Sequence, residues 1–173
     1  MISTELIRRY PFFAGLSRDQ LGTLAKVADE MTVEAGYYFF REGDELNTYY
    51  LVIDGTIALV IGVPDRDAEQ SLTRQLTDDL IYKDIMVSTV GVGDLFGWSA
   101  LIPPHESTAS AKSATFSRVV AFDCKKLRPI LEEDDYFAYL MTLKAAQIIR
   151  SRLRDIRIES LAEIALRDIG ASE

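Results

Sequence analysis

The hydrophobic pattern changes period twice along the chain. Near the start, Leu21, Leu24, Ala25 and Ala28 recur at helical spacing, and Ser17 with Gln20 three residues later forms a capping-box pattern just before them. Ile7, Phe12, Phe13 and Leu16 supply an apolar lead-in that reads as a short helix and turn. After Ala28 the pattern becomes short β-type runs at 36–40, 49–53 and 56–61, punctuated by Gly43-Asp44, Asp54-Gly55 and Gly62. Asp-Gly between two apolar runs signals a tight hairpin, because a primed turn needs positive φ at its centre. Residues 64–84 are polar, and 85–90 resumes an apolar run before the Gly91-Val-Gly-Asp94 turn. The segment 95–102 and two runs around 107–111 and 117–122 follow. So many short strands with regular turns predict a barrel or a double-sheet roll rather than an alternating α/β sheet.

The last third is helical. Asp123 is placed to cap a helix through Lys125, Leu127 and Ile130, which Pro129 should bend or shorten. From about Tyr136 to Leu166 there is no Gly or Pro. Ala146, Ile149, Leu153 and Ile156 step by coiled-coil intervals, and the step breaks at Ser160, with Leu161 one place later. The expected organisation is one structural unit, with a β-roll and N-terminal helices over 1–135 and a dimerisation helix and tail over 136–173.

Composition narrows the chemistry. The 173 residues carry 19 Lys and Arg against 27 Asp and Glu, a net charge of −8 and an isoelectric point near 4.7. That balance argues against nucleic-acid or anionic-membrane partners, which need clustered excess cations. One Cys and one His exclude an intramolecular disulfide, a four-cysteine zinc site and an iron–sulfur cluster. No signal-peptide core or membrane-length apolar run is present, so a cytoplasmic location is the simplest expectation. Neither a nucleophile elbow nor a phosphate-binding Walker loop appears, and Asp78-Asp79 lacks surrounding metal ligands. The expectation is a non-enzyme without cofactor or metal.

Four strings in order carry a family resemblance: Pro11-Phe-Phe-Ala-Gly-Leu-Ser17, Phe39-Phe-Arg-Glu-Gly-Asp44, Tyr49-Tyr-Leu-Val-Ile-Asp-Gly55 and Gly91-Val-Gly-Asp-Leu-Phe-Gly97. Together they resemble the cyclic-nucleotide-binding domain of the catabolite-activator and fumarate–nitrate regulator superfamily. The resemblance implies a mainly β fold with flanking helices, an eight-stranded double-sheet β-roll of jelly-roll type, and a long C-terminal helix commonly used for dimerisation. It also implies a phosphate-binding cassette here formed by Phe96, Gly97, Trp98, Ser99 and Ala100 and by Ser107, Thr108 and Ala109. In that family a Glu after Phe-Gly bonds the ribose, and an Arg about nine residues on neutralises the cyclic phosphate. This chain has Trp98 in the first place and Ser107, or Glu106 in a shifted register, in the second. A buried phosphate without a counter-charge is costly, so the cassette departs from the family where its chemistry is decided.

Two readings stay open: a pocket with an indole in place of the carboxylate, or a degenerate loop plugged by Trp98. Arg118 and Arg152 are the candidate substitute cations, and Arg41 suits an ion pair better than a ligand. His105, in a loop beside Pro103-Pro104, offers no pattern for haem ligation. Cys124, opening a helix, is either a redox-active thiol or a small buried residue. The run Glu132–Asp135 suits a solvated turn, and Arg150, Arg152, Arg154 and Arg157 suit salt bridges with Asp155 and Glu159. DNA-binding relatives carry a helix-turn-helix after the long helix, and only a few residues follow Leu166 here, so a DNA-reading domain is not expected. The expected function is a sensor or regulatory module that binds a cyclic nucleotide or another small effector and signals through a homodimer. The alternative is a ligand-free protein–protein or dimerisation scaffold, for which the polar stretch 64–84 would suit a partner surface.

Overall fold

The computed structural model describes residues 1–64 and 82–170. A short helix α1 (Thr4–Arg8), a single 3-10 turn (Pro11–Phe13) and α2 (Arg18–Lys26) precede the strands. The capping box forms: Gln20 N–H donates to Ser17 Oγ and Ser17 N–H to Gln20 Oε1. Helix α2 stops at Val27, so Ala28 opens β1 (Ala28–Val33) rather than closing the helix. In β1 only the end residues Ala28 and Val33 are buried, which leaves a weak apolar alternation for sequence reasoning to detect.

The remaining strands are β2 (Tyr38–Phe40), β3 (Thr48–Asp54), β4 (Ile57–Pro64), β5 (Tyr82–Val90), β6 (Leu95–Phe96), β7 (Ser110–Ser113) and β8 (Ser117–Asp123). These eight form two antiparallel four-stranded sheets, ordered β1-β8-β3-β6 and β2-β7-β4-β5. This is the double-sheet roll rather than a closed barrel. Strands β4 and β5 pair out to Pro64 and Tyr82, so both ends of the polar stretch 64–84 belong to the ladder. The remainder of that stretch, with Asp78-Asp79, lies outside the described residues.

Two cores account for the apolar runs. Leu51 and Ile53 of β3 and Val120 and Phe122 of β8 face the helices, while Val52 and Val119 face the other sheet. Both faces of these central strands are covered, so they read as continuous rather than alternating hydrophobic runs. Between the sheets Val52, Ile57, Val90, Phe96, Ala111 and Val119 form the second core. The β3–β4 turn needs Gly55: its φ is +88°, and a Cβ there would lie 2.5 Å from the Phe116 carbonyl oxygen and 2.8 Å from Ser117 Cα.

Asp123 caps α3 (Cys124–Glu133), accepting from the Lys125 and Lys126 amides, and Pro129 lies inside that helix. The long helix α4 (Asp135–Gly170) follows directly. Its first turns are docked by Phe137, Met141 and Ala145, all fully buried in the helix-side core. At about 1.5–3 kcal/mol for each fully buried large side chain, this contact holds the start of α4 to the roll. Farther on, Leu153, Ile156 and Ile158 are about half exposed.

Candidate functional site

The site is built where β6 runs out of its sheet. Leu95 and Phe96 pair with β3, and then Gly97 turns the chain with a φ of +73° into a 3-10 turn, Trp98–Leu101. A Cβ at Gly97 would sit 3.1 Å from the Thr48 carbonyl oxygen and 3.2 Å from Phe40 Cε1, so glycine permits this close approach to β3. Phe96 stacks on Tyr50 (4.9 Å, 15°) and meets Phe39 edge-on (4.9 Å), which fixes the floor beneath the turn. The return segment is fastened to the β2–β3 turn by main-chain bonds from Gly43 to Ser107, from Ser107 to Asp44 and from Leu46 to His105.

Between these walls lies a cavity of about 290 Å³. Phe96, Gly97, Trp98, Ser99, Ser107, Thr108 and Ala109 line it, joined by Phe40, Leu46, Leu59 and Ile61. Trp98 is half-buried and forms part of the wall rather than filling the space. Ala100 does not line the cavity. Its side chain is fully buried in the helix-side core, because the 3-10 turn carries it to the opposite face from Trp98. Ser107 is buried and donates its hydroxyl proton to the Ala109 carbonyl, so its donor is already used. Glu106 is exposed and bridges to Glu45 through the backbone.

The two candidate cations separate. Arg118 falls on the helix-facing side of β8 with Val120 and Phe122, away from the space between the sheets, and pairs with Glu30 at 3.4 Å. Arg152 lines the cavity, as does Ile156 one turn later, so α4 supplies one wall. The Arg152 guanidinium donates to the Thr89 carbonyl (3.2 Å) and stands 4.0 Å from Asp94. Its side chain is 21% exposed, and it is the one charged group lining the cavity among the described residues. On its other side a cleft of about 350 Å³ is bounded by Lys144, Gln147, Ser151, Asp94 and Asp155. Lys144 is buried, donates to the Ala14 carbonyl (2.7 Å), and burial pulls its pKa below the usual lysine value.

Arg128 carries no sequence signal of its own and proves to be a fastening point. From α3 it donates to Asn47 Oδ1 (3.0 Å), the Leu46 carbonyl (3.1 Å) and the Ala100 carbonyl (3.1 Å). One guanidinium thereby ties the end of the 3-10 turn to the β2–β3 connection. Only the tertiary fold brings residues 46, 100 and 128 together, so no local pattern marks it.

The other singled-out residues lie elsewhere. Arg41 stacks over the Tyr38 ring at 4.0 Å instead of completing an ion pair among the described residues. His105 has a φ of +66° and its Nδ1 is 3.2 Å from the Ser99 carbonyl oxygen, a structural contact at the loop tip. Cys124 is buried, and desolvation pushes its thiol up to about 12, so it holds no thiolate for redox chemistry at neutral pH. Of the seam residues, Ile149 is half-buried and Ala146, Leu153 and Ile156 are exposed. Among the described residues no cluster of three or more His, Cys, Asp or Glu is placed to hold a metal, and no helix is long and apolar enough to cross a membrane.

Comparison with known proteins points to one family. The family model described as cyclic nucleotide-binding domain matches residues 30–134. A crystal structure of a protein from Geobacter metallireducens GS-15, described as cyclic nucleotide-binding, is 27% identical with a TM-score of 0.72, over 88% of this chain and 99% of that one. The N-terminal domain of a transcriptional regulator from Streptomyces coelicolor A3(2) is 26% identical with a TM-score of 0.60, over 86% and 92%. Among curated proteins, the CRP-like cAMP-activated global transcriptional regulator of Mycobacterium tuberculosis is 22% identical over 95% of this chain. The chain spans 64% of that regulator's length and 34% of a potassium channel protein from Rhodopseudomonas palustris that it also matches.

Proposed function

The chain belongs to the cyclic nucleotide-binding domain family, and on that premise we propose that it is a regulatory module that binds a small effector between the cassette and α4. The observation that carries this reading is the cavity itself. It is walled by Phe96–Ser99 and Ser107–Ala109 on one side and by Arg152 and Ile156 of α4 on another. A ligand there touches the helix that transmits the signal, so it can bias how α4 lies against the roll. Ile156 is also a member of the apolar seam with Ala146, Ile149 and Leu153, through which α4 is expected to pair with a second copy in a cytoplasmic homodimer. The module does no chemistry on its ligand.

The residues present do not fit a cyclic nucleotide in the usual way. Trp98 cannot accept hydrogen bonds from ribose hydroxyls as a carboxylate does, and Ser107 replaces a phosphate-binding guanidinium with a hydroxyl that is already engaged. Those departures also favour the second reading, a scaffold that binds a protein partner and no small molecule.

Trp98 is the single tryptophan of the chain, so its emission reports on the cavity wall alone. Calorimetric titration with cAMP, cGMP, cyclic dinucleotides and a small-molecule panel, read in parallel by Trp98 fluorescence and thermal shift, tests the proposal. A saturable change in Trp98 emission with a raised midpoint supports an effector site, since binding at a hundredfold excess over Kd stabilises by about 2.7 kcal/mol. Trp98 emission that no compound moves would leave the scaffold reading standing.

A further inference from the structure

We infer that the effector is a small organic monoanion with an apolar body, whose carboxylate is held by Arg152 and whose body lies against Trp98. This rests on the effector-site reading and adds the ligand's chemical class. The wall chemistry argues for it. Phe40, Leu46, Leu59, Ile61, Trp98 and Ile156 offer hydrocarbon and aromatic surface, and no acid lines the cavity among the described residues. A sugar with several hydroxyls would lose water there without regaining its hydrogen bonds, which costs free energy for every unpaired group. An apolar body loses nothing comparable, and a volume of about 290 Å³ suits a molecule at the lower end of drug size.

One charge is matched. The Arg152 guanidinium uses one nitrogen on the Thr89 carbonyl, while its second terminal nitrogen faces Asp94 at 4.0 Å, beyond hydrogen-bond distance. Beyond its bond to Thr89 and a long pairing with the solvent-exposed Asp94, the planar fork keeps N–H donors beside an apolar cavity, which suits a carboxylate able to accept two parallel N–H bonds. The neighbouring cleft shares Arg152 but carries Asp94 and Asp155, which repel an anion, so the apolar side is the better seat. A dianion would leave one charge uncompensated, and a neutral ligand would leave the fork as it is.

The test uses two molecules that differ only in charge, 4-phenylbutanoate and 4-phenylbutanamide, with cAMP beside them. Binding is read by calorimetry and by Trp98 emission excited away from the phenyl absorption. The acid is expected to bind at least tenfold more tightly than the amide. Arg152→Lys should keep part of that preference, and Arg152→Gln should reduce it below threefold while still taking up the amide, which shows that the cavity persists in the variant. Equal binding of acid and amide, or a preference that survives Arg152→Gln, overturns the assignment of class and leaves the effector site intact. Tighter binding of cAMP than of the acid does the same. Silence from the acid, the amide and the nucleotide together overturns both the class and the site.

Discussion

Replacing Arg128 with Met keeps most of the aliphatic stem and removes the guanidinium that joins α3, the 3-10 turn and the β2–β3 connection. Three hydrogen bonds are lost, to Asn47, Leu46 and Ala100. At about 1 kcal/mol net for each, they amount to about 3 kcal/mol. Against this, Arg128 Nε is buried without a partner, a desolvation cost of about 1 kcal/mol that methionine does not bear. The expected net destabilisation is therefore about 2 kcal/mol. With a urea slope of roughly 1–3 kcal/mol per molar, the midpoint should fall by about 1 M. Urea unfolding followed by far-UV circular dichroism and by Trp98 emission measures it. Trp98 emission of the folded variant should also change, because the Ala100 carbonyl within its 3-10 turn loses its donor. A variant within 0.5 kcal/mol of the wild type, with unaltered emission, would refute the idea that this arginine fastens the cassette.

Other expectations follow from the same geometry. Gly55→Ala must hold alanine at a φ of +88° against the Phe116 carbonyl and should cost about 2–4 kcal/mol, seen as a lowered thermal midpoint. Cys124 has a folded-state pKa raised to about 12, above its ordinary 9.0, so its contribution is full below pH 9 and is lost as pH rises towards 12. Stability should fall by up to about 1.4 kcal/mol per pH unit more steeply between pH 9 and 10 in the wild type than in Cys124→Ala, as measured by urea midpoints; parallel slopes would refute this. Leu153→Asp places a charge on an exposed apolar position of α4 and should convert a dimer into a folded monomer in light scattering. A monomeric wild type, or a variant that stays dimeric, would refute the seam.

Much of the fold was legible because its cues are local. The Ser17–Gln20 capping box and the Asp123 cap each depend on residues a few places apart, and each forms where the spacing predicts. At Asp54-Gly55 the tight turn forms but the expected hairpin does not, because β3 and β4 enter different sheets and pair with other strands. Strand β1 was missed because only its two ends are fully buried and its middle is polar apart from the half-buried Met31. The long run from Leu95 to Ile102 splits after two residues of strand, because Gly97 takes positive φ and redirects the chain.

By itself the sequence determined most of the order of elements and the cassette's departures, since turn chemistry, periodicity and residue identity are written position by position, while the choice of a two-sheet roll over a barrel came from the family resemblance. The side chains that meet at the cavity were decided by the tertiary structure. Arg118 and Arg152 were equivalent as cations in the sequence. Strand alternation turned the first towards Glu30 on the helix side, and the docking of α4 by Phe137, Met141 and Ala145 brought the second to the cavity wall. Whether Trp98 lines a space or fills it was settled by packing, because a side chain's direction depends on neighbours such as Phe40 and Leu46 that lie far away in the chain and close in the fold.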